Sequence, residues 1–195
     1  MLYNLKDMNS GEFIRKILDG ETNFARIRLN GRDLFSHPDY GVLIAYLKGH
    51  LNGRGDRLIL NSSVLKGLMA PELYLPYVEA MGADFSHSYM PRANFAYGVC
   101  NGSNFRRSKS VGIIFRNASL PEVDFEHADL DEGDFDVAYV PGTNFRNASM
   151  RNVKNLESSL QLSEALFSHT RVTPSEKSVI ERAFFGKGSL EVHTA

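Results

Sequence analysis

Six histidines and one cysteine are the side chains of this 195-residue sequence best suited to acid–base, nucleophilic or metal chemistry. His37, His50, His87, His127, His169 and His193 include no HExxH motif and no i, i+4 pair, and none stands at metal-ligand spacing from Cys100. A single cysteine permits no internal disulfide, and no CxxC pair is available for a structural zinc site. No GxSxG elbow, phosphate-binding loop or dinucleotide fingerprint occurs. These residue types and spacings point to a protein that is not an enzyme and needs no metal or other cofactor.

Charge and hydropathy exclude further classes. Lys and Arg total 22 against 23 Asp and Glu, a formal charge of −1, so no long-range field gathers nucleic acid or anionic membrane. Direct nucleic-acid binding is therefore not expected. No stretch reaches the roughly 20 apolar residues of a membrane span. Residues 1–20 alternate apolar with charged positions and form no secretory apolar segment. With 43% apolar residues the chain can bury one sizeable core, and the expected setting is the reducing cytoplasm.

The elements that would position any functional side chain follow a period of five. Every fifth residue over 60–150 is apolar with one exception, Ser110. Two residues earlier runs a column of mostly small side chains, from Ala83 and Ser88 to Thr143 and Ala148. Neither the 3.6 period of a helix nor the 2.0 period of an ordinary strand fits such a step, whereas a short extended piece plus a turn in every five residues does. Folding the large column at twenty brings Phe85, Phe105, Phe125 and Phe145 together, and likewise Phe95, Phe115 and Phe135. Four sides of five residues make one coil, with each Phe stacked about 4.8 Å from its equivalent, the spacing of neighbouring strands. The remaining columns are Met90, Ser110, Leu130, Met150 and Ala80, Cys100, Leu120, Val140, Leu160. Cys100 thus faces inward as an inert thiol, and His87 and His127 share an outward ladder with Arg107.

Units such as Ala83-Asp84-Phe85-Ser86-His87, Ala93-Asn94-Phe95-Ala96-Tyr97, Ser103-Asn104-Phe105-Arg106-Arg107 and Ala128-Asp129-Leu130-Asp131-Glu132 carry the pattern most clearly. The sequence resembles the pentapeptide-repeat family, whose motif is a small residue, Asp or Asn, Leu or Phe, and two mostly polar positions. The resemblance implies that family's fold, a right-handed quadrilateral β-helix with the small and large columns inside. It also implies a choice of function, because the family includes fluoroquinolone-resistance proteins that look like B-form DNA and bind DNA gyrase.

The flanks suggest short helices. Residues 10–18 read as an N-terminal helix, and Thr173-Pro174-Ser175-Glu176 as the capped start of a C-terminal one, with Gly186 as its stop. Phe24, Leu29 and Leu34 carry the five-residue step early. The 26 residues from Leu34 to Leu60 predict a 21-residue insertion, which places Phe24 on the side of Leu65 and Phe85. Leu43, Ile44, Leu47 and Leu51 give that insertion a helix ended by Gly53 and Gly55. After Met150 the pattern decays and the β-helix is expected to end. The divisions are a helical cap over 1–21, the repeat over 22–167 with a helical insertion at about 36–57, and a helical cap and tail over 168–195.

Two functions remain open. Residues 124–136 hold seven acids and no base, a DNA-like belt by itself. Stacking at twenty sets Arg106 against Glu126, Lys109 against Asp129, Arg116 against Asp136, Arg146 against Glu126, Arg151 against Asp131 and Lys154 against Asp134. Such cross-strand pairs are each worth about a few tenths of a kcal/mol and blunt a phosphate-like potential. The first reading is therefore a non-catalytic scaffold for an unknown protein partner, and the alternative is a DNA mimic directed at DNA gyrase or another topoisomerase. Tyr74, Tyr77, Tyr89, Tyr97 and Tyr139 are the candidate contact residues, either outward or packed under helices and loops. The C-terminal helix is a candidate homodimer contact.

Overall fold

The computed structural model describes residues 4–51, 57–184 and 192–194. From Ile59 the chain climbs in coils of twenty residues, each with four bridged sides. Parallel bridges link Asp84 to Asn104, Asn104 to Asp124 and Asp124 to Asn144 on the first side, and equivalent ladders run through Tyr89, Asn94 and Val99.

Each five-residue unit explains its own geometry. The small and large positions point inward, and Phe85, Phe95, Phe105, Phe115, Phe125, Phe135 and Phe145 are all fully buried. The Asp or Asn between them bends the chain at the corner. Asp84, Asn94 and Asn104 accept hydrogen bonds from the backbone N–H of Ser86, Ala96 and Arg106 at 2.9, 2.9 and 3.0 Å. The last residue of the unit turns the corner in the left-handed region, as at His87 (φ 59°), Arg107 (56°) and His127 (61°). Asp or Asn before Phe is thus a corner device, and the Phe that follows closes the core. Ring centroids along the first side are 4.9, 5.1 and 5.4 Å apart from Phe85 to Phe145, and rings on the two opposite Phe sides meet edge to face across the bore.

The small column has one buried hydroxyl out of place. Ser63 and Thr143 donate to the carbonyls of Phe24 and Leu120 at 2.6 Å each. Ser103 Oγ is buried with no hydrogen-bond partner among the described residues. Leaving a polar group unpaired costs its desolvation, so Ser103→Ala is expected to leave stability unchanged or raise it by up to about 1 kcal/mol, measured by urea unfolding.

The first coil differs from the sequence-based expectation. Asn23 bridges Ile59, Arg28 bridges Val64 and Asp33 bridges Met69. Phe24 therefore lies on the side of Leu60, Ala80 and Cys100, not on that of Leu65 and Phe85. From Leu34 to Leu60 the chain makes two side-steps, not one, so the net insertion is 16 residues rather than 21 (26 minus two steps of five). A helix replaces the wall this coil lacks, the one below Tyr74. This helix, α2 (Tyr40–His50), buries Tyr40, Leu43 and Leu47. Phe13, Ile17, Leu34, Leu43, Leu47 and Leu75 converge at this end of the core, and the Tyr40 hydroxyl donates to the Pro71 carbonyl at 2.8 Å. Gly53 and Gly55, expected to end the helix, and Gly186, expected to end the later one, lie outside the described residues.

The far end also runs on past the expected decay. Tyr139 bridges Leu160, a step of 21, while Asn144 bridges Leu166 and Ser149 bridges Arg171, steps of 22. Two single-residue slips occur where Asn155 (φ 58°) and Gln161 (φ 57°) enter left-handed corners ahead of 3-10 turns at Leu156–Ser158 and Leu162–Glu164. The slip turns Leu160, expected inside, out to 49% exposure. Leu162 is buried in the same turn. Phe167 still stacks on Phe145, at 5.2 Å.

Terminal segments lie on both ends of the coil stack. Strand β1 (Lys6–Asn9) pairs in parallel with β2 (Ile27–Asn30). Helix α1 (Ser10–Leu18), capped by the Asn9 side chain, buries Phe13, Ile14 and Ile17. At the other end, β3 (Thr170–Val172) pairs in parallel with β4 (Val192–Thr194). Helix α3 (Pro174–Ala183) starts at Thr173, whose N–H donates to the Glu176 carboxylate at 2.7 Å, and it buries Ile180. Its outward residues are Ser175, Ser178, Glu181 and Arg182, so it presents no apolar stripe to solvent.

Candidate interaction surface

The core leaves little room for chemistry. An enclosed gap of about 10 Å³ between α1, α2 and the first coils is lined only by apolar side chains. Two open grooves, of about 490 Å³ beside α3 and 510 Å³ beside α1, hold no nucleophile next to a base. Cys100 is wholly buried, and burial pushes its thiol up to about 12, far from a reactive thiolate.

Three of the four outer sides are charged. On the first side Arg106 reaches Asp124 at 3.0 Å and also pairs with Glu126. Past the second, Arg151 holds Asp131 at 2.5 Å, and Ser149 donates to the same carboxylate at 2.6 Å. On the third, Arg116 pairs with Asp134 at 2.5 Å instead of with Asp136 as its stacking suggests, because Asp134 sits on the bridge and is itself buried. Lys109 and Asp129, and Lys154 and Asp134, are backbone bridge partners, but the charged groups of neither couple pair with each other.

Burial pushes the Asp134 carboxyl up, but hydrogen bonds from Asn155 and Arg116 outweigh it and hold the group below the ordinary carboxylate range. Asp131 is lowered in the same way by Arg151 and Ser149. The unfolded chain then binds these protons more tightly than the native one. Their stabilisation is complete above the free Asp value of about 3.9 and is lost as pH falls through the lower native values. Thermal melts are expected to show this acid-side loss, and Asp134→Asn is expected to make it shallower.

The fourth side is different. Its bridged column reads Asn23, Ile59, Glu79, Val99, Ser119, Tyr139, Leu160, and its corners add Arg57, Tyr77, Tyr97, Asn117 and Val137 on one flank and Asn61, Met81, Asn101, Pro121 and Pro141 on the other. Glu79 and Arg57 are the two charged residues among these, and they pair with each other at 2.9 Å. Met81, Tyr97, Val137, Tyr139 and Leu160 are all exposed, Tyr97 to 50% and Tyr139 to 38%. Tyr77 and Tyr97 stack at 4.9 Å with planes 8° apart. Val137 is out of character, since a β-branched residue at φ 53° costs about 1–2 kcal/mol relative to a right-handed backbone, where Asn or Gly sits more easily.

The candidate tyrosines do not form one site. Tyr77, Tyr97 and Tyr139 share the fourth side. Tyr89 lies on the second, bridged to Met69, and Tyr74 is partly buried on the third. Met81, Val137 and Leu160 escape a search for aromatics. The signal that finds the first two is the scarcity of charge in the outward columns folded at twenty, where only Arg57 precedes Tyr77, Tyr97, Asn117 and Val137, and Leu160 is hidden by the slip at Asn155.

The family model for pentapeptide repeats matches residues 99–136, in eight copies. Residues 99–136 are pentapeptide repeats. The parallel-bridged coils on either side continue the same five-residue step, so the fold is a β-helix solenoid. Among solved structures, it is similar to a pentapeptide-repeat protein of the Arabidopsis thaliana thylakoid lumen, at 24% identity over 53% of this chain and 74% of that one, TM-score 0.42. QnrB1, a plasmid-mediated fluoroquinolone resistance protein, matches at 13% identity over 84% and 81%, TM-score 0.46. HetL of Nostoc sp. strain PCC 7120, involved in regulating heterocyst differentiation, matches at 17% identity over 85% and 78%, TM-score 0.37. No curated protein matches the chain. Among the described residues no helix is long and apolar enough to cross a membrane.

Proposed function

We propose that this pentapeptide-repeat chain is a non-catalytic protein-interaction scaffold and that its fourth side receives the partner. The observation that carries this reading is the exposed, largely apolar strip through Tyr97, Val137, Tyr139 and Leu160, on a side whose charged residues Glu79 and Arg57 pair with each other, while the other three sides carry charge ladders. A contiguous apolar patch of this kind marks a contact surface, and tyrosine is enriched in such contacts. The rod itself is best described as a four-sided β-helix with one helical insertion, α2. In this reading α1 with β1, and α3 with β4, serve as caps that shield its core and strand edges. A cytoplasmic setting fits its single buried thiol.

The DNA-mimic reading draws on acids that here lie against arginines. Asp124, Glu126, Asp131 and Asp134 each have an Arg partner, which removes the continuous negative face a mimic requires. A dimer through α3 likewise lacks an apolar outer stripe to support it. Cross-linking in lysate with the wild type and with Tyr97→Ser/Tyr139→Ser tests the scaffold. A cross-linked partner lost from the double variant supports it, and unchanged partners, or inhibition of gyrase supercoiling by the purified chain, overturn it.

A further inference from the structure

Opposite the fourth side, the lower half of the second side carries four cations that form no ion pair among the described residues. We infer that this half docks a short acidic segment of another protein, one that also brings an apolar side chain. The surface lies on the strands bridged in succession at Asp33, Met69, Tyr89 and Lys109. Its cations are Arg32, Lys66, Arg107 and Lys109, all exposed. The acids set among them are already engaged. Glu72 is held by Arg92 at 3.0 Å, and the Asp33 carboxylate accepts the Ser36 N–H at 2.9 Å in its own turn. An anion brought here therefore meets four cations with no internal ion pair to break, the condition under which charge complementarity selects a partner.

The coil places each of these groups. Lys66 and Arg107 stand at the corner that leads into the side, Arg107 in the left-handed region at φ 56°. The Arg32 side chain crosses the same corner over Gly67, where a Cβ would come within 3.2 Å of its Cδ. Lys109 occupies the bridged column itself, next to Tyr89. Beside the cations runs an apolar line of Phe35, Met69 and Tyr89, exposed to 58%, 42% and 45%. These three are neighbours, since the Phe35 N–H donates to the Met69 carbonyl at 3.1 Å and Met69 bridges Tyr89. The Phe35 ring also meets Tyr40 of α2 edge to face at 6.0 Å, which positions it without covering it.

The extent of the surface selects a peptide over a nucleic acid or an anionic membrane. Four bridged strands span three steps, about 14 Å at the usual strand spacing. The next coil up presents Glu126, Asp129, Asp131 and Glu132, of which Asp129 and Glu132 form no ion pair among the described residues. A continuous polyanion lying along the rod would run on to these acids and be repelled. An extended peptide covers the basic stretch with only four or five residues at about 3.3 Å each and stops short of them. Its acidic side chains then face the corner cations, and an apolar one rests on Met69 and Tyr89.

Fluorescence anisotropy of a labelled peptide, Glu-Asp-Leu-Phe-Asp-Glu, titrated with the full chain tests this. Binding is expected with a Kd of about 100 µM at low salt, weakening as salt is raised to about 0.5 M. The same peptide with lysine at every acidic place should not bind. Lys66→Glu/Arg107→Asn should weaken binding about tenfold or more, and Tyr89→Ser about fivefold. The double variant separates contact from folding, because Asn suits the left-handed corner and the melting temperature should stay within about 3 °C. Tyr97→Ser/Tyr139→Ser should leave the peptide bound within about twofold, so the second and fourth sides are read independently. No binding at about 1 mM chain, or binding unmoved by Lys66→Glu/Arg107→Asn, overturns the inference. Single-stranded oligothymidine or phosphatidylserine vesicles that bind more tightly than the peptide, and are lost with the same double variant, overturn the choice of a peptide as occupant.

Discussion

Phe115→Ala is expected to lower stability by about 3–5 kcal/mol, the range for removing a buried aromatic ring from a packed core. Phe115 is fully buried and sits between Phe95 and Phe135 along its own side, at 5.5 and 5.6 Å, while Phe105 and Phe125 meet it across the bore at 5.7 and 5.5 Å. The coil cannot collapse into the space. Its backbone is bridged above and below at Asn94 and Asp134, and those bridges fix the separation of the walls. Phe167→Ala, at the end of the stack and touching Phe145 and Phe184, should cost less because the last turn can move. Urea unfolding of both variants measures the difference. A loss below about 1 kcal/mol at Phe115 would mean that the walls do relax and that the Phe ladder is not the source of rigidity.

Ile180→Asp is the second large effect. Ile180 is fully buried under α3, and a carboxylate there has no cation to pair with in the core, so keeping the helix docked would cost about 3–5 kcal/mol. The helix is expected to detach instead, taking Phe184 off Phe167. The consequence should be local: amide exchange becomes fast over 174–184 while the bridged amides of Asp124 and Asn144 stay protected. The uncovered end then presents apolar surface and strand edge to other molecules, and light scattering should report association that grows with concentration. A monodisperse variant with α3 still protected would refute the capping role.

Much of this architecture is legible in the sequence because the repeat is strict where the core is strict. The Phe alternation at twenty places seven rings without reference to any structure, and the Asp or Asn before Phe85, Phe95, Phe105, Phe125, Phe135 and Phe145 announces the corner of those units. What failed to read out did so for physical reasons. Phe24 looks like a Phe-side residue, yet the side it takes depends on how many walls the chain skips, and α2 stands in for a whole wall at no fixed spacing. The slips at Asn155 and Gln161 are single left-handed residues in corners where left-handed residues already recur, so nothing in their type marks them. The pairing of β4 with β3 joins residues 22 apart in sequence through backbone groups alone and leaves no side-chain signature. The charge-poor side was visible in principle, but only when each outward column is read for what it lacks.

The twenty-residue coil has a further consequence for how such a molecule can change length. Suppose a block of five residues were duplicated after Asn117. Every later unit would advance by one wall, Phe125 would leave the line of Phe105, and Asp134 would move out of reach of Arg116. A block of ten would restore the ring alternation but exchange opposite faces, setting Tyr139 on a charged wall. Only a whole coil leaves rings, ion pairs and faces in place together. Growth or shortening by recombination is therefore quantised, and an engineer who wishes to lengthen the rod should copy twenty residues at a time from its middle, leaving both ends as they are.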